Sequence, residues 1–137
     1  MLPKWHILFG FVFAYVIYWF TSINIFEASL IFLSSVLIDF DHYMWYVIKR
    51  KDRNLKNAYI YLKKHRNIVK PLMLFHTIEF HIFIGLLSFI WVGFFYIFIG
   101  MGFHSVFDLI ELIYEKRIYT REFFFFRYLL SNKNKCL

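Results

Sequence analysis

The sequence predicts an all-α integral membrane protein, a four-helix bundle of two antiparallel transmembrane hairpins with an amphipathic cytoplasmic connector. Three observations predict it. The first is composition: of 137 residues, 61% are hydrophobic, 25% aromatic and only 18% charged. Soluble domains average about half apolar and about a quarter charged. A chain this small has too little interior to hide twenty Phe side chains from water. The second is the gathering of apolar residues into four segments. The third is the distribution of the sixteen Lys and Arg, none of which falls in the two turns that would join those segments.

The first apolar segment covers about residues 5–20. It lacks a small-residue cleavage site, and Tyr15, Tyr18, Trp19 and Phe20 crowd the place where one would lie, so it reads as a retained membrane helix rather than a secretion signal. Thr21-Ser22-Ile23-Asn24 is a polar turn signal. The second helix is expected over about 25–41. A basic connector follows over 43–71, in which Leu55, Ala58, Tyr59 and Leu62 recur at helical spacing among Lys56, Lys63 and Lys64. That pattern suits a helix lying on an anionic bilayer surface. The third and fourth helices are expected over about 72–90 and 94–113, broken at Gly93, and an interfacial tail over 116–137 carries the Phe123–Phe126 run among basic residues.

Charge decides between one long span and a hairpin in the second half. Besides Lys4, nine basic residues lie between Lys49 and Lys70 and six between Lys116 and Lys135. Two hairpins put every one of them, and both termini, on the cytoplasmic side, as the positive-inside rule requires. Trp5 and Trp45 then lie at the inner interface and Trp19 and Trp91 near the outer one, where indole is favoured. The basic charge follows membrane boundaries, so membrane lipid is the expected partner and nucleic acid is not; self-association is left open. The lone Cys136 excludes an internal disulfide.

The informative residues are ionisable groups inside or at the ends of apolar segments: His6, Asp39, Asp41, His42, His76, Glu79, His81, His104 and Asp108. Such groups are costly in a membrane and usually line a functional cavity. With a rise of about 1.5 Å per residue, His81 and His104 each lie about 17 Å from the Gly93 turn, and His6 and Asp39 each roughly 25 Å from the turn near Ile23. The hairpin arrangement therefore brings them all to one side. His104 and Asp108 share a helix face, as do Asp39 and His42. His81 points about 140° away from His76 on an ideal helix, so both serve one site only across a groove or beside an irregular start near Pro71. Neutral imidazole with carboxylate is a ligand set for a divalent metal, zinc first, with manganese or iron as alternatives. Asp41 and Glu79 are the candidates for proton transfer. Lys63, Lys64 and Arg66 are candidates for attracting an anionic headgroup. There is no Gly-rich phosphate loop and no nucleophile elbow.

His6, then Leu37-Ile38-Asp39-Phe40-Asp41-His42, then His76-x-x-x-x-His81, then Gly102-Phe103-His104-Ser105-Val106-Phe107-Asp108 resembles the YdjM-like family. These are small prokaryotic inner-membrane proteins described as membrane-bound, metal-dependent hydrolases. The resemblance covers about residues 1 to 113, and its ligand layout is similar in turn to that of zinc phospholipase C. It implies metal binding by His6, Asp39, Asp41, His42, His76, His81, His104 and Asp108, and hydrolysis of a phosphoester or ester of a lipid-like substrate at the cytoplasmic face. Thr77 and Ile82 stand where the family often has Arg and Ser. Two other readings use the same residues: a non-catalytic membrane protein binding metal, or haem between His76 or His81 and His104, and a small ion-handling membrane protein.

Overall fold

The computed structural model describes residues 3–65, 73–116, 118–120 and 122–133. Among these the chain is all-α: α1 (Pro3–Phe20), α2 (Ile25–Leu37), α3 (Phe40–Arg50), α4 (Leu55–Lys64), α5 (Ile78–Leu87), α6 (Gly93–Tyr114) and α7 (Phe125–Lys133), with 3-10 turns at Leu74–His76 and Ile118–Thr120.

Local chemistry explains most boundaries. Thr21–Asn24 turns the chain, and Asn24 opens α2 with a capping box: its side chain accepts from the Glu27 N–H while the Glu27 carboxylate accepts from the Asn24 N–H. Asn54 caps α4 by accepting from Lys56 and Asn57. Lys51, in the left-handed region at φ 56, ends α3. Thr77 is extended and caps α5 through the Phe80 N–H.

Helix α6 is the spine. Helices α1, α2 and α5 all pack on it, and α1 packs on α2. Gly10 lies against Ser35, so α1 and α2 are antiparallel neighbours across their short turn. Helices α5 and α6 are likewise antiparallel, since His81 meets Ser105 and Gly85 lies beside Phe98. Phe13 stacks on Phe103 at 3.9 Å and Phe9 on Phe107 at 5.3 Å, which locks α1 against α6. The closest approach is α2 to α6: Gly100 sits so near the Ile31 carbonyl and Ser34 hydroxyl that no Cβ fits there. Small residues at helix crossings are what bundles use when apolar burial cannot drive association. Ile38, Ile84 and Met101 form the buried core between α2, α5 and α6.

Several boundaries differ from the sequence reading. The helix expected over 25–41 ends at Leu37 and restarts as α3 at Phe40, which runs into the expected connector as far as Arg50. The helix expected over 72–90 is a 3-10 turn followed by the ten-residue α5. At 22 residues, α6 is the only described helix long and apolar enough to cross a membrane. Propensity reads both longer stretches as continuous; the breaks follow from the carboxylate and imidazole groups held just beyond them.

Candidate metal centre

Asp39 lies in the turn between α2 and α3. On an uninterrupted helix Asp39 and Asp41, two positions apart, would face roughly opposite ways. The break lets both carboxylates reach His76, which approaches from the separate 3-10 turn. Asp41 Oδ2 accepts from His76 Nδ1 at 3.1 Å and from the Phe75 N–H at 3.0 Å, while Asp41 Oδ1 accepts from His42 Nδ1 at 2.8 Å. With Nδ1 occupied, His76 turns Nε2 toward Asp39 Oδ1 at 3.8 Å and Asp108 Oδ2 at 3.5 Å.

His104, on α6, is arranged the same way. Its Nδ1 donates to the Ser35 carbonyl at 2.7 Å, and a carbonyl can only accept, so neutral His104 carries its lone pair on Nε2. That Nε2 lies 3.4 Å from Asp39 Oδ1 and 3.6 Å from Asp108 Oδ2, buried and without a hydrogen bond among the described residues. Ligand atoms of Asp39, His76, His104 and Asp108 all fall within 4.8 Å of one another. Four groups from three segments, the α2–α3 turn, the 3-10 turn and α6, thus converge on a volume the size of an ion. Two imidazole nitrogens and two carboxylates turned toward one another are a donor set that could hold a divalent metal.

His6 stacks on His104 with ring centres 4.5 Å apart and turns Nε2 to Asp108 Oδ1 at 3.5 Å. Asp108 therefore faces two clusters, the second completed by His6 and Glu111. Asp41, His42 and His76 make a third grouping on the other flank. At Asp41 burial opposes charge, while hydrogen bonds from His42 and His76 hold the carboxyl well below the usual range.

Four described candidates stand apart, His81, Glu79, Lys63 and Lys64. His81 has both nitrogens engaged elsewhere, Nδ1 donating to the Thr77 carbonyl at 2.9 Å and Nε2 facing Ser105 Oγ at 3.0 Å. It holds α5 to α6 rather than joining the cluster. Glu79 accepts from the Phe125 and Phe126 N–H groups at 3.0 and 3.3 Å, so it caps α7. Lys63 and Lys64 are exposed on the last turn of α4, and Arg66 lies outside the described residues. Sequence reading passed over Ser35, whose contribution is its backbone carbonyl. The signal that could have found it is the match of Ser34-Ser35 with Gly10 and Gly100, small residues where helices come close.

No family model matches the chain, and neither does any curated protein or solved structure. The functional reading accordingly rests on the geometry of this centre and on the motifs that build it.

Proposed function

We propose that this chain is a membrane-bound, metal-dependent hydrolase that acts on a phosphoester or ester of a lipid-like substrate at the cytoplasmic face. The observation that supports it best is the pair His76 and His104, each with Nδ1 committed to a protein acceptor and Nε2 turned on the carboxylates of Asp39 and Asp108. Preset tautomers of this kind are how proteins orient metal-ligating histidines. Two imidazole nitrogens and two carboxylates suit zinc, with manganese or iron as alternatives. When bound, such a cation supplies Lewis acidity toward a phosphoryl or carbonyl oxygen and brings the pKa of water toward neutrality.

The chain's own residues supply the rest. Asp41 fixes His76 with its Nε2 turned toward Asp39 and Asp108. His42, about a third exposed and bonded through Nδ1 to Asp41, is placed to pass protons between the cluster and water. His6 backs His104 and shares Asp108. The motif resemblance to the YdjM-like family points the same way. The His76 and His104 rings are 5.3 Å apart, with the carboxylates of Asp39 and Asp108 beside their Nε2 atoms, which suits a small cation rather than the plane of a haem.

The membrane part of the proposal rests on surface. Leu8, Phe11, Val12, Tyr15 and Trp19 form an exposed apolar row down α1, and Phe20, Phe89 and Ile90 are 79–88% exposed at the tips of the two helix pairs. A soluble protein rarely presents so continuous an apolar face. With the basic segments at the opposite end, both termini are cytoplasmic in this reading.

The test is metal analysis of detergent-purified protein prepared without chelator, beside hydrolysis of a chromogenic phosphodiester. Stoichiometric metal and metal-dependent turnover in the wild type, both lost in His104→Ala and Asp39→Ala, is the expected result. A metal-free wild type would overturn the proposal.

A further inference from the structure

Helices α2 and α5 both pack on α6 but scarcely on each other. The gap between them is an open groove of about 330 Å³, walled by Leu33 and Leu37 of α2, Ile38 just beyond it, Phe75, Phe80 and Ile84 of α5, and Met101 of α6. Its lining is almost wholly apolar. The one hydroxyl along it, Ser34 Oγ, donates to the Ile31 carbonyl and offers an occupant nothing. The groove extends from Leu30 to Ile38, about 12 Å at a helical rise of about 1.5 Å per residue.

Its inner end is what gives it meaning. Ile38 precedes Asp39, Phe75 precedes His76, and Met101 lies one turn before His104, so three wall residues adjoin three members of the metal cluster. The Phe75 N–H bonds to Asp41, which ties this wall directly to the carboxylate that orients His76. A molecule lying in the groove therefore has an apolar body along α2 and α5, with its inner end beside the segments that carry Asp39, His76 and His104. Water gains nothing from such a channel, and a polar solute would leave its groups unsatisfied there.

We infer that the groove binds one acyl chain of a phospholipid and thereby places the lipid's phosphoester at the metal cluster. Entry is sideways from the bilayer, through the gap where α2 and α5 part. The fate of the headgroup rests on the hydrolase reading above; the seating of the chain does not.

The test uses a phospholipid bearing a diazirine midway along one acyl chain, mixed with full-length protein in detergent and photolysed, with labelled residues mapped by peptide mass spectrometry. Labelling is expected to concentrate on residues 30–38 and 75–84, and to persist in His104→Ala. Leu33→Trp, at the exposed mouth of the groove, should cut it roughly tenfold, equivalent to about 1.4 kcal/mol of binding. Val12→Trp, on the exposed face of α1, should not. Leu37→Trp is the second blocking variant should the first not fold. Labelling spread evenly over α1 and α5, or unchanged in both blocking variants, would overturn the inference. Groove labelling in a wild type that carries no metal would instead keep the lipid site and remove the hydrolase.

Discussion

Single residues in this centre divide into those that could touch a cation and those that hold them in place, and the two kinds should behave differently on substitution. Removal of the His104 or Asp39 side chain deletes a ligand. Asp41→Ala leaves all four candidate ligands present but frees His76 to rotate and strands the Phe75 N–H. The expected outcome is metal affinity lowered by roughly 10–100-fold, the usual scale for losing an orienting partner, rather than abolished. Competition titration against a chelator of known affinity measures this. Glu79→Ala should leave metal content unchanged, because its carboxylate accepts from the first N–H groups of α7 instead. Faster amide exchange at residues 125–128, with stoichiometric metal retained, is the predicted signature. Loss of metal in that variant would place Glu79 in the site after all. The sequence marked Glu79 by its charge within an apolar run, but charge alone does not say whether a carboxylate faces an ion or a helix end.

Among the elements, the α2–α6 crossing sets the geometry, because His104 reaches the Ser35 carbonyl only if those helices stay close. Gly100 and Gly102 give a matched pair. A Cβ on Gly100 meets the Ile31 backbone and Ser34, whereas one on Gly102 meets nothing. Gly100→Ala should destabilise by about 1–3 kcal/mol through forced separation of the helices. Gly102→Ala should be neutral or stabilise by up to about 1 kcal/mol, as replacement of a mid-helix glycine does. Unfolding in denaturing detergent, followed by circular dichroism, distinguishes them. The α3–α4 turn is held differently. Asp52 accepts from the Asn54 N–H, the Asn57 amide and the Tyr46 hydroxyl, and these bonds hold its carboxyl below the ordinary value of 3.8. A lowered acid contributes stability above its unfolded pKa and loses it as pH falls through the folded one. Amide protection around residues 54–57 should therefore hold down to about pH 4 and fail below it. Asp52→Ala should show the same loss at neutral pH.

For the whole molecule, the membrane reading makes the plainest prediction. Reporter fusions at the N- and C-termini should both score as cytoplasmic, and the protein should stay with membranes through alkaline carbonate extraction. Release into the soluble fraction would leave the exposed apolar row of α1 without a solvent. Helix lengths sharpen this expectation. Helix α6 has 22 residues, about 33 Å of rise, while α5 has ten, about 15 Å, against a hydrocarbon core of about 30 Å. On the membrane reading α5 falls well short of that thickness, and the exposed turn residues Phe89 and Ile90 extend its apolar surface.

The sequence by itself determined the helical class, the turn at Thr21–Asn24, and the gathering of imidazoles and carboxylates toward one end of the bundle. Those follow from composition, capping chemistry and the avoidance of turns by Lys and Arg, all properties carried by neighbouring residues. Only the tertiary structure decided which of them meet. Asp39 and Asp41 share His76 because the helix breaks between α2 and α3; His81, equal to His76 on paper, turns to Ser105. Facing depends on where a helix stops and where the next begins, and partners more than thirty residues away sit at those points: Asp41, just past the break between α2 and α3, meets His76, and the Ile78 N–H that opens α5 donates to the Phe123 carbonyl.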